Sequence, residues 1–164
     1  MKAISLWQPW ASLIAIGAKR VETRSWAPPV SMIGSRIAIH AAKHRTDSET
    51  IASLLLPVAK ATGACVGDTL IWLANLPRGE IVCTVRVVCA KQVSNLTPEW
   101  TRALSEQERA FGDYGTGRWG WVLDDVVKLP QPIPYRGAQG PFNVPDELLG
   151  RPVNQERLFR EAAQ

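Results

Sequence analysis

Gly17-Ala18-Lys19-Arg20-Val21-Glu22-Thr23-Arg24-Ser25-Trp26 decides the reading of this chain. A glycine that stops a helix runs straight into a strand whose alternate residues Arg20, Glu22, Arg24 and Trp26 are charged or aromatic, with Val21, Thr23 and Ser25 on the other face. A face carrying opposite charges and an indole suits an apolar core poorly, because a buried charge must be paired or neutralised. The pattern predicts the wall of a polar cleft.

Working outward, Lys2 to Leu6 reads as a strand, and Pro9 suits the first turn of a helix with Trp10, Leu13 and Ile14 on its apolar stripe. Downstream, Arg36 to Ala41 reads as a buried strand after the Pro28-Pro29 break, and Asp47-Ser48-Glu49 opens a helix that runs to about Ala61 before Gly63. Gly67-Asp68 reads as a turn, followed by strands at Thr69 to Leu73 and Glu80 to Ala90. Thr97 and Pro98 open a helix ending near Phe111-Gly112. A strand follows from Trp119 to Leu129, after which Pro130, Pro132 and Pro134 are expected to forbid regular pairing before Phe142-Asn143-Val144. Strands joined by hairpins and short helices predict an α+β fold, a small mixed β-barrel of five to seven strands with helices packed outside. Residues 1–150 read as one domain, and 151–164 as a helical tail docked on it through Val153, Leu158 and Phe159.

Composition bounds the function. The chain has 164 residues, 46% of them hydrophobic, which suffices for one domain with a buried core. Lysine plus arginine exceed aspartate plus glutamate by 19 − 15 = +4, a modest excess that favours an anionic or nucleotide-bearing partner. Cys65, Cys83 and Cys89 lack metal-ligand spacing and leave an odd thiol, which predicts reduced structural cysteines and a cytoplasmic protein. No apolar run approaches the ~20 residues needed to span a bilayer, so no membrane partner is expected. Gly112-Asp113-Tyr114-Gly115-Thr116-Gly117 lacks the strand-to-helix setting of a dinucleotide fingerprint and reads as a flexible loop or lid. Ser12 and Ser31 lack the setting of a nucleophile elbow, which argues against serine hydrolysis.

Three segments together resemble the ASCH domain family: Ser5-Leu6-Trp7-Gln8-Pro9-Trp10-Ala11-Ser12-Leu13-Ile14, then Gly17 to Trp26, then Ile37-Ala38-Ile39-His40-Ala41-Ala42-Lys43. Pro132-Ile133-Pro134-Tyr135-Arg136-Gly137 and Phe142-Asn143-Val144-Pro145 extend the likeness to the closing strand. The resemblance implies a PUA-like barrel and the handling of nucleic acids or nucleotides. Some members look like binding modules; others are small amidohydrolases that deacylate N(4)-acetylcytidine and related acylated cytosines. The free-standing form favours the second use. In the smallest amidohydrolases a catalytic lysine follows a glycine after the first helix, with a threonine three positions on. Lys19 matches the lysine, while Glu22 stands in the threonine's place. Those enzymes also use a glutamate from a later segment, for which Glu106 and Glu108 are the candidates.

The side chains fit that chemistry. Amide hydrolysis needs a base to activate water, a cation or donor for the oxyanion, and an acid for the departing amine. Glu22 is expected as base and Lys19 at the oxyanion, with no metal or cofactor required. A close ion pair would tune both the wrong way unless desolvation offsets it, and the plainer reading is a salt bridge that fixes the helix-strand corner. Among Trp7, Trp10, Trp26, Trp119 and Trp121, Trp10 reads as core, Trp119 and Trp121 share a strand face, and Trp26 is the candidate for stacking on a pyrimidine, worth about 1–3 kcal/mol per base. His40 reads either as a core histidine or as a cleft residue. Lys43 and Arg24 are candidate substrate or phosphate contacts. The expected partner is a modified cytosine nucleoside or base, or RNA carrying it. The competing reading is a non-catalytic RNA- or DNA-binding module, which would use Arg20, Arg24 and Lys43, or a single-strand ribonuclease. Oligomeric state is left open by the sequence.

Overall fold

Six strands pair in the order β2-β5-β4-β3-β1-β6, and the computed structural model describes residues 1–93 and 104–149 of the chain. In chain order the elements are β1 (Lys2–Leu6), α1 (Trp10–Ala15), β2 (Val21–Arg24), β3 (Arg36–Ala41), α2 (Ser48–Thr62), α3 (Val66–Ala74), β4 (Glu80–Gln92), α4 (Glu106–Ala110), β5 (Trp119–Pro134) and β6 (Phe142–Asn143). β1 runs parallel to β3, with Lys2 beside Ile37 and Leu6 beside Ala41, and all other neighbours are antiparallel. The sheet rolls up: the Arg24 guanidinium at the end of β2 donates to the Ser5 carbonyl of β1 at 3.2 Å, although three strands separate β2 from β1 in the sheet. This is the α+β, PUA-like architecture expected, with its helices outside.

The inner face holds Ile4, Ile39, Val85, Val87, Trp121 and Leu123, sealed by Ala11 and Ile14 of α1. Fully burying one such aliphatic side chain contributes roughly 1.5–3 kcal/mol, so this cluster dominates the stability of the fold. A second cluster around Leu13, Leu54, Val58 and Phe111 ties α1 to α2 and to the end of α4. Local signals place the helices. Asp47 caps α2 by accepting the Thr50 N–H at 2.7 Å, and Gly63 closes it in the left-handed region at φ +69°. Gly17 ends the first helical segment at φ +75°, which frees the chain to turn into β2.

Three expectations are corrected. Residues 66–74 form a helix rather than a turn and a strand: the Cys65 Sγ accepts the Asp68 N–H, and Thr69 and Leu73, four apart, are buried while Leu70 and Ile71 face outward. A five-residue apolar run has no period long enough to separate the two structures. The second strand stops at Arg24 rather than at Trp26. The proline-rich segment remains in β5: the register shifts between the Cys83–Lys128 and Ile81–Ile133 pairs, and pairing resumes at Ile133 and Pro134. The prolines break the ladder locally without ending the strand, because Ile133 and Tyr135 still carry N–H groups and Tyr135 donates to the Gly79 carbonyl at 3.0 Å. The helix start expected at Thr97-Pro98 and the tail at 151–164 lie outside the described residues. No single helix among the described residues is long and apolar enough to cross a bilayer.

Candidate active site

A cleft of ≈ 1540 Å³ opens where the ends of β1, β2 and β3 meet the loop after α4 and the segment after β5. Glu22, Arg24, Trp26, His40 and Lys43 all line it. Lys19 does not. Its side chain is only 1% exposed and lies behind Glu22, with Nζ donating to the Val21 carbonyl at 2.6 Å and to the Phe111 carbonyl at 2.8 Å. Those bonds occupy two of its three N–H groups. The third is left for the carboxylates, Glu22 Oε2 at 3.7 Å and Glu108 Oε1 at 4.0 Å. The expectation of Lys19 on the cleft surface is thus replaced by a cation buried one layer below it, which also pins the corner between Gly17 and β2.

Glu108, not Glu106, joins this cluster. Glu106 is exposed and pairs with Lys60 at 3.3 Å. Glu108 is buried, and its two oxygens accept the Arg20 and Val21 N–H groups at 2.8 and 3.0 Å, which holds the start of β2. A sequence signal existed for it: Leu104, Glu108 and Phe111 recur at spacings of four and three, and all three are buried around the short helix Glu106–Ala110.

Burial dominates the electrostatics. It lowers the Lys19 ammonium below its ordinary value of 10.5, against the opposing pull of Glu22 and Glu108. It raises the Glu22 carboxyl above 4.5, against Lys19, Arg24 and Arg118. Desolvation therefore offsets the ion pair and narrows the gap between the two groups, so that a proton passes between them at less cost than in water. The Tyr114 hydroxyl, buried and without a hydrogen-bond partner among the described residues, is pushed well above its ordinary range by burial and then by the charges of Glu108 and Glu22.

Around Glu22 stand two cations with access to the cleft. Arg24 Nη1 is 3.7 Å from Glu22 Oε1. Arg118, missed from sequence because it sits at the end of a loop remote in the chain, lines the same wall and donates to the Thr23 carbonyl at 3.0 Å. Trp26 packs edge-on against Trp121 with ring centroids 4.8 Å apart, and the Arg24 guanidinium lies 5.1 Å from its ring centre. It is therefore half anchored in the core and half presented to the cleft. Trp121 is buried, so the pairing along this strand face runs from Trp121 to Trp26.

His40 bonds at both nitrogens. Nε2 lies 3.0 Å from the Tyr135 carbonyl, which can only accept, and Nδ1 lies 3.1 Å from Ser5 Oγ. Burial lowers its pKa below 6.5, so the neutral ring donates through Nε2 and accepts the Ser5 hydroxyl proton at Nδ1. Lys43 extends its stem across Gly79, where a Cβ would meet Lys43 Cε at 2.8 Å, and carries its ammonium at the cleft's exposed edge. Arg20 is exposed and outside the cleft lining. Among the described residues no three His, Cys, Asp or Glu side chains converge as metal ligands.

Comparison with known proteins bears on the fold and the family. No match was found among curated protein sequences. Among solved structures, the ASCH protein of Zymomonas mobilis superimposes with a TM-score of 0.51 at 19% identity, covering 97% of this chain and 93% of that one. A serine-to-alanine variant of the same Zymomonas mobilis protein gives 0.51 at 20% identity, covering 98% and 94%. These likenesses concern the fold. The family model described as "ASCH domain" matches residues 4–114, from β1 through the Glu22 wall to the loop that carries Tyr114, and the chain belongs to the ASCH domain family.

Proposed function

We propose that this protein is an amidohydrolase that removes the acyl group from N(4)-acylated cytosine nucleosides or bases, N(4)-acetylcytidine being the simplest. The observation that carries this reading is the Glu22 carboxylate, buried at the cleft wall, raised in pKa and held between Lys19 and Arg24 at 3.7 Å each. A carboxylate kept above the ordinary range is a better base near neutrality than a solvated one.

Glu22 takes a proton from water, whose oxygen attacks the acyl carbon, and the carbonyl oxygen becomes an oxyanion. Lys19 supplies positive charge from behind the carboxylate, and Arg24 and Arg118 are the cations able to reach the oxyanion directly. As the tetrahedral intermediate collapses, the C–N bond breaks and Glu22 returns its proton to the cytosine amine, giving cytidine and the carboxylic acid. No metal enters this scheme. Trp26 offers a flat surface for the pyrimidine, and neutral His40 lines the same cleft as a hydrogen-bonded wall.

The test is incubation of the purified protein with N(4)-acetylcytidine in chelator, following cytidine release. Turnover lost in Glu22→Gln, with the fold retained, supports the reading. Absence of turnover, together with salt-dependent oligonucleotide binding weakened by Arg24→Ala, would establish the binding module instead.

A further inference from the structure

Trp7 is exposed at 55%, the largest side chain of the cleft lining to be so open. It is not loose. Its ring stacks on His44 with centroids 4.0 Å apart and planes 26° from parallel, so one indole face is occupied and the other is turned to solvent. Trp7 follows β1 and His44 follows β3, and these two strands are parallel neighbours, so the sheet itself brings the two rings together at the cleft mouth. Lys43, beside His44 in sequence, and Arg136 line the same cleft and are exposed. A pre-stacked aromatic face flanked by cations is the arrangement that receives a base together with its phosphate. The cleft is also larger than one nucleoside requires, since small-molecule sites typically enclose about 300–1,000 Å³ against ≈ 1540 Å³ here.

We infer that the Trp7–His44 pair is a second stacking subsite, which holds the base next to the acylated cytosine in a single-stranded oligonucleotide, with Lys43 and Arg136 meeting the joining phosphates. The inference rests on the proposed deacylation for the identity of the first subsite. The second subsite is tested separately by binding.

Two measurements are made on wild type, Trp7→Ala and Trp7→Phe. The first is kcat/KM for free N(4)-acetylcytidine and for a trinucleotide with N(4)-acetylcytidine at its centre. The second is the Kd of the unacetylated trinucleotide and of cytidine, titrated at high salt, where stacking persists and phosphate contacts weaken. The expected result is tighter binding of the trinucleotide than of cytidine by wild type, a loss of about 5- to 150-fold in trinucleotide affinity for Trp7→Ala, and retention of most of it by Trp7→Phe. The preference of kcat/KM for the trinucleotide should fall in parallel. Equal affinity of wild type for trinucleotide and cytidine, or a Trp7→Ala Kd within twofold of wild type, overturns the subsite. If neither acetylated substrate turns over while the Trp7 dependence of binding holds, the deacylation reading fails and the stacking subsite stands.

Discussion

Replacing Lys19 with methionine keeps an unbranched, largely apolar stem, one atom shorter, and removes the charge, and the structure sets the consequence. Two buried carbonyls, those of Val21 and Phe111, lose their donor, and each orphaned acceptor costs about 1–3 kcal/mol. Glu22 and Glu108 lose the cation between them. At pH 7 the buried Glu22 must then be either ionised without Lys19 or protonated, and protonation from a reference value of 4.5 costs up to about 3.4 kcal/mol. The sign follows from the raised pKa: the penalty is absent below the unfolded value, grows as pH rises through 4.5, and falls to below about 1 kcal/mol at pH 5. Lys19→Met is therefore expected to lose about 4–6 kcal/mol at pH 7, a large share of the roughly 5–15 kcal/mol that holds a typical domain together. The loss should be some 2–3 kcal/mol smaller at pH 5. Urea unfolding at both pH values measures it, with Lys19→Met/Glu22→Gln as the control that removes the pH-dependent part. A loss under about 1 kcal/mol at pH 7, or one unchanged between the two pH values, would refute a buried cation as the keystone of the site.

Two further outcomes are expected. The profile of kcat/KM should rise with pH along an acid limb whose midpoint lies above 4.5, since Glu22 must be ionised to act as base and burial raises it, and should fall along an alkaline limb below 10.5 as Lys19 loses its proton; an acid limb at or below 4.5 contradicts the assigned base. Gly137→Ala would place a Cβ 2.4 Å from His40 Cε1 and 2.7 Å from Ser5 Oγ, and because His40 is held at both nitrogens its ring has no free direction to yield. A loss of about 1–3 kcal/mol in chemical denaturation is expected, and stability within about 0.5 kcal/mol of wild type would show that the ring is not pinned.

Much of the fold is legible from the chain because its determinants are local. The bounds of β1 and β3, the Asp47 cap and the Gly63 stop depend on residues within a turn of one another. The helix at Val66–Ala74 is not legible in the chain, where Gly67-Asp68 signals a turn and Thr69 to Leu73 a strand, because the Cys65 cap is an uncommon signal and the buried positions Thr69 and Leu73 show a helical period only once their packing is known. In the site, Lys19 and Glu22 stand three apart just after the turn that Gly17 makes into β2, so their meeting is written locally. Their tuning is not.

By itself, the sequence determined that Glu22, Arg24 and Trp26 lie together along one segment, which strand carries His40, and the membership of the family, since these rest on short spacings and motif order. Only the tertiary structure decided that Lys19 lies beneath the cleft, that Glu108 rather than Glu106 completes the cluster, that Arg118 faces Glu22, and that Trp7 stacks on His44. The physical reason is that each of these depends on burial or on a contact between segments far apart in the chain. Desolvation, the largest influence on both Lys19 and Glu22, comes from whatever the folded chain packs around them.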